Sequence, residues 1–189
     1  MRDKDIRDAL HSSILSHYHE DPNTLVIDEF NICQGESRAD IVVINGLIHG
    51  YEIKSKSDNL NRLPDQIMYY SMIMDKVTLV VDDSHYENAK EMLPNWWGIK
   101  VVSSDANNKL KIKSIRREKR NKSLNNFAIA QLLWRDELID ILGKKDALKG
   151  VKSKPKIDLW NRLVDVTTID ELQSIVRQTL KSRSNWRVG

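Results

Sequence analysis

The chain has 189 residues, 40% hydrophobic and 30% charged, which suits one domain or one domain with an appendage; no apolar run approaches the roughly 20 residues of a membrane span. One cysteine, Cys33, excludes an internal disulfide and fits a reducing cytoplasm, the opening MRDKDIRDAL lacks the apolar stretch of a signal peptide, and the five histidines show no zinc-type spacing. The net charge of +3 is unevenly spread: residues 1–108 hold 10 Lys/Arg against 18 Asp/Glu and residues 109–189 hold 20 against 9, as expected of a carboxylate-rich site beside either a polyanion-binding surface or a solvated basic tail.

Ile6, Leu10, Ile14 and Tyr18 recur at helical spacing and predict one amphipathic helix over residues 3–19. Asp21-Pro22-Asn23 breaks the chain. Three Val- and Ile-rich runs, 25–32, 38–44 and 47–56, then read as strands. Asn45-Gly46 between the last two is a hairpin signal. Residues 64–75 read as a helix opened by Pro64, KVTLVVD (76–82) as a buried strand, and Ser84 with Glu87 as a capping box for a helix to Leu93. Two further strands are predicted at 98–103 and 109–116. Composition then shifts. The charged run RREKRNK (116–122) precedes helices at 127–142, capped by Asn126 and ended by Gly143, at about 155–166, and from the Thr168–Glu171 capping box to Arg183. The β-β-β-α-β-α-β order implies an α/β fold, a mixed sheet flanked by helices, with a C-terminal helical extension. The division expected is a core over 1–117 and a basic helical subdomain over 118–189.

Asp40 and Glu52 lie in segments that otherwise read as core strands, where an ionised group is costly without a metal or partner. Glu52 and Lys54 are two apart and share a strand face. The two carboxylates with the Ile53 carbonyl would offer hard oxygen ligands to Mg²⁺ or Mn²⁺, and Lys54 would position water or stabilise phosphorane charge. The bland alternative is an Asp40–Lys54 structural ion pair. Register decides whether the carboxylates can meet. A two-residue Asn45-Gly46 turn would pair Asp40 with Tyr51 and turn it away from Glu52. A shared site needs one residue of slippage: a three-residue loop with Ile44 opposite Ile48, or a bulge at Gly50.

The Asp40…Glu52-Ile53-Lys54 pattern resembles the PD-(D/E)XK, or restriction-endonuclease-like, nuclease superfamily over roughly residues 3–105. The segments SRADIVVINGLIHGYEIKSKSD, LPDQIMYYS, PNWWGI and LLWRDEL resemble a bacterial family of small, poorly characterised members within it. Ala39 stands where the eponymous proline would be. The resemblance implies that Asp40 and Glu52 bind metal, that Lys54 joins them in phosphodiester hydrolysis, and that Glu29 on the preceding strand is a further ligand or supporting acid. Gln66 and Tyr70, as Q-x-x-x-Y, resemble a motif of the RecB-like branch, and their spacing puts both on one helix face.

Arg38 and Lys56 flank the motif and are candidate phosphate contacts. Arg116, Arg117, Lys119, Arg120 and Lys122 form one basic cluster; Lys152 and Lys154 belong to a second. Such clusters give salt-sensitive, sequence-independent affinity, with no base-reading motif in sight. Three functions follow as expectations: a Mg²⁺- or Mn²⁺-dependent DNA nuclease in repair or defence against foreign DNA, an RNA nuclease, or a nucleic-acid-binding or adaptor protein without chemistry. A homodimer or a partner protein is compatible with each.

Overall fold

In the computed structural model, which describes residues 2–105 and 109–183, six strands form one sheet in sequential order. They are β1 (Leu25–Ile32), β2 (Ser37–Asn45), β3 (Leu47–Lys54), β4 (Lys76–Asp82), β5 (Gly98–Ser104) and β6 (Leu110–Arg116). Pairing is antiparallel from β1 to β3, parallel from β3 to β5, and antiparallel again at β6. Parallel neighbours need crossovers, and α3 (Leu63–Ile73) and α4 (Tyr86–Met92) supply them. The mixed sheet with flanking helices and a C-terminal helical region is the architecture expected from the element order.

Opposite faces carry different helices. On one, α1 (Asp3–Ser12) packs Ile6 and Leu10 against Ile41, Val43, Tyr51 and Ile53. On the other, residues of α3 and α4 share a continuous core with α5 (Asn126–Ala130), α6 (Arg135–Lys144), α7 (Lys156–Asp165) and α8 (Ile169–Ser182). Leu133, Leu159, Val176 and Leu180 are as buried as Val42 and Leu79 of the sheet, each 0% exposed. The C-terminal helices therefore complete the core of the sheet.

Two predicted helices are each split in two. The first ends at Ser12, and α2 (Ser16–Glu20) follows. Ser12 Oγ donates to the Asp8 carbonyl at 2.8 Å, and such back-bonding competes with helix propagation. The 127–142 helix is broken between α5 and α6, because Glu137 accepts the Trp134 backbone N–H at 2.7 Å and so opens a new helix. Buried Leu132 and Leu133 keep the apolar period running through the break. Caps shift as well. Asn125 rather than Asn126 accepts from Ala128 N at 2.9 Å. Asp82, not Ser84, caps the turn before α4, and α6 runs past Gly143 to Lys144.

The hairpin decides the site. Asn45 pairs with Leu47, Ile44 with Ile48 and Ile41 with Tyr51, leaving Gly46 alone at the turn with φ +65°. This is the slipped, three-residue loop, and it brings Asp40 level with Glu52. Gly50 carries no bulge. It pairs with Val42, and a Cβ there would stand 3.3 Å from Met74 Sδ.

Candidate active site

The β2–β3 ladder stops at Ile41–Tyr51. Beyond it the strands part, and Asp40 Oδ2 accepts the Ile53 backbone N–H at 2.7 Å, taking over a donor that the ladder no longer satisfies. On the other side of Asp40 the β1–β2 ladder also misses a step. Asp28 pairs with Ile41 and Phe30 with Ala39, while Glu29 between them turns to φ +55°. A non-glycine residue in the left-handed region is held there by its surroundings. Both irregularities converge on Asp40.

Glu52 is 2% exposed and gathers three donors. Lys54 Nζ and Gln66 Nε2 reach Oε1 at 2.7 and 2.5 Å, and the Tyr70 hydroxyl donates to Oε2. Gln66 and Tyr70 sit one turn apart on α3, whose buried face lies over this end of β3. Behind them the Trp97 ring stacks on Tyr70 with centroids 5.7 Å apart. Lys54 thus pairs with Glu52 at 2.7 Å, and Asp40 pairs with an arginine; the Asp40–Lys54 ion pair is not formed.

That arginine, Arg7 of α1, was not singled out in the sequence. Its guanidinium donates to the Asp40 carbonyl at 2.5 Å, to Glu29 Oε1 at 2.7 Å and to Asp3 Oδ1 at 3.3 Å, and lies 3.4 Å from Asp40 Oδ1. Burial lowers its pKa, but the surrounding carboxylates more than offset this and leave it raised. A lone arginine on an amphipathic helix, 33 residues before its partner, carries no local signal for such a role.

Asp40, Glu52, Ile53, Lys54, Gln66, Glu29 and Arg38 line one cleft of about 600 Å³, joined by Asp3, Arg7, Asp58, Arg62 and Asp65. Burial, and next the charge of Glu52, push the Asp40 carboxyl up to about 7, against the Ile53 N–H and Arg7, which favour its ionised form. Burial, and next Glu52, hold the Tyr70 hydroxyl well above its usual range, so it acts as a donor. Gln66, 8% exposed, has its Oε1 buried without a partner. An orphaned acceptor beside two carboxylates fits a bound water or a hydrated cation. Asp40 and Glu52, with the Ile53 carbonyl, suit a hard divalent ion that keeps several waters. Among the described residues, no group of three or more His, Cys, Asp or Glu is placed to hold a metal ion.

The remaining candidates separate. Glu29 is held by Arg7 and, at 2.6 Å, by Arg38. β3 ends at Lys54 rather than at the predicted residue 56, and Lys56 stands exposed beyond the strand. Arg116 donates to the Trp97 and Pro94 carbonyls at 2.7 and 2.9 Å and serves structure rather than a ligand. Arg117, Lys119, Arg120, Lys122, Lys152 and Lys154 are exposed, Arg120 standing 3.8 Å from Asp75. No helix among the described residues is long and apolar enough to cross a membrane.

The sheet and cleft define an α/β protein with a carboxylate–lysine site at a splayed strand pair. The chain belongs to the family of bacteriophage P4 protein cII, whose family model matches residues 2–187. It is 28% identical over 160 residues to protein cII of Enterobacteria phage P4, covering 84% of this chain and 59% of that protein. The chain thus spans about 59% of the length of this curated relative. Among solved structures, a protein of unknown function from Silicibacter pomeroyi matches with a TM-score of 0.40 and 19% identity, over 75% of this chain and 90% of that one; so low a likeness does not bear on function.

Proposed function

We propose that this chain is a divalent-metal-dependent nuclease that hydrolyses DNA phosphodiester bonds, with repair or defence against foreign DNA as its setting. One observation carries the reading. The slipped hairpin sets Asp40 level with Glu52, and both line a cleft in which Lys54 is hydrogen-bonded to Glu52. The resemblance to PD-(D/E)XK nucleases supports the same assignment.

Asp40, Glu52 and the Ile53 carbonyl would hold Mg²⁺ or Mn²⁺. When bound, the ion supplies Lewis acidity toward the scissile phosphate and a lower pKa for its water. Lys54, fixed by Glu52, presents its ammonium where charge builds on the phosphorane. Gln66 Nε2 and the Tyr70 hydroxyl hold Glu52 in one orientation, and the unpartnered Gln66 Oε1 can accept a hydrogen bond from a bound water. Arg38 and Arg62 at the cleft offer phosphate contacts. The exposed Lys and Arg of 117–122 and 152–154 would add sequence-independent attraction to the backbone.

A second reading, a nucleic-acid-binding or adaptor protein without chemistry, rests on the exposed Lys and Arg of 117–122 and 152–154, which attract a phosphate backbone whether or not the cleft is catalytic. RNA as the polymer is the third. Labelled linear, circular and single-stranded DNA and RNA, incubated with Mg²⁺ or Mn²⁺, separate the three. Wild type should cut DNA, and Lys54→Ala and Asp40→Ala should not. Binding without cleavage of any polymer selects the second reading, and cleavage of RNA alone selects the third.

A further inference from the structure

Asp3, Glu29 and Asp40 come from three separate elements or their ends, and all face one guanidinium. Arg7 Nη2 is 3.3, 2.7 and 3.4 Å from their carboxylate oxygens. Arg7 is only 14% exposed and lines the cleft. Asp40 divides its carboxylate: Oδ2 is fixed by the Ile53 N–H, while Oδ1 faces Arg7. Two-metal phosphodiesterases hold their ions about 3.5–4 Å apart, the shared carboxylate facing both. A second ion here would need the oxygens of Asp40, Glu29 and Asp3, and those oxygens already surround a fixed cation.

We propose that Arg7 occupies the second-ion position, so that the site takes one divalent ion per chain and the arginine supplies the other positive charge. This rests on the metal-dependent reading above and goes beyond it, since it fixes the ion count and assigns a residue of α1 to the electrostatics of the site. An arginine suits the position because its planar, permanently charged fork can address several carboxylates at once. It needs no ion to be recruited before the phosphate arrives.

The test is a Mn²⁺ titration of the full chain, with free ion followed by electron paramagnetic resonance and heats by calorimetry. Wild type should bind one Mn²⁺ per chain, and Arg7→Lys, which keeps a cation, should also bind one. Arg7→Met, shown to be folded by its circular dichroism melt, should bind two, the second occupying the vacated carboxylates. Two ions on wild type, or one on folded Arg7→Met, overturn the assignment of Arg7 while leaving a metal site in place. No ion on wild type overturns both this inference and the metal-dependent reading. Should Arg7→Met not fold, the wild-type count decides: one supports the inference, none or two overturns it.

Discussion

Glu52 and Asp75 are 2% and 1% exposed, both carboxylates beside core strands, and their surroundings differ in kind. Asp75 accepts the Ile48 backbone N–H at 2.8 Å and Gln173 Nε2 at 3.2 Å, while its own carbonyl receives Asn121 N at 2.8 Å. It ties β3, the segment after β6 and α8 into one knot, and it does not line the cleft that holds Asp40. Glu52 is held only by side chains, opens onto a cleft, and has a second carboxylate and an unpartnered amide oxygen for company. Depth of burial does not distinguish an acid locked into the fold from one that faces a cleft. What distinguishes them is whether the donors close around the group or leave one side open beside a like charge.

The largest effects that would break this contrast are on turnover. Asp40→Asn and Lys54→Ala should each lower metal-dependent cleavage by about a thousandfold, equivalent to about 4 kcal/mol of barrier. Asp40→Asn keeps an acceptor for the Ile53 N–H and removes a charge facing Glu52. Its melting midpoint at pH 8 in chelator should therefore equal or exceed that of wild type. Asp75→Ala should behave the other way, with urea unfolding showing a loss of about 2–4 kcal/mol as buried donors lose their acceptor. A loss below about 1 kcal/mol would place Asp75 outside the fold's essential contacts.

A titration sharpens the comparison. The unfolded chain releases the Asp40 proton near 3.8, and the folded chain keeps it to about 7. Between these values the folded state binds more protons, so stability in chelator should fall as pH rises through that window. The fall should be shallower in Asp40→Asn. If Asp40 holds Mg²⁺ as proposed, the ion would displace the same proton, and its affinity should weaken as pH drops below about 7. The smallest effect is expected for Tyr70→Phe. Losing the bonds to Glu52 and the Arg38 carbonyl should cost about 1 kcal/mol in stability and reduce cleavage less than Lys54→Ala does.

Much of the site was legible because it is local. Glu52 and Lys54 share a strand face by period alone, Gln66 and Tyr70 share a helix face, and the hairpin narrowed the register to two cases, of which the slipped one is found. What escaped was set by tertiary contact. Arg7 reaches Asp40 from α1, and the β1–β2 ladder misses a step at Glu29 next to the point where β2 and β3 part. Arg116 shows the opposite error: within a basic run it read as a phosphate contact, yet its guanidinium fastens two carbonyls near Trp97. Helix breaks at Ser13 and Gln131 were hidden because apolar spacing persists where hydrogen bonding does not.

The segment between β6 and α5 crosses from sheet to helices while keeping exposed Arg117, Lys119, Arg120 and Lys122. It is pinned by Lys119 N to Trp96 O, Asn121 N to Asp75 O and Asn125 N to Met72 O, each at 2.8 Å. A trypsin nick there would cut the covalent link without separating the halves, because each contributes side chains to the same interior. The two fragments should elute together under native conditions and part only in denaturant, and co-expressed as separate polypeptides they should reassemble.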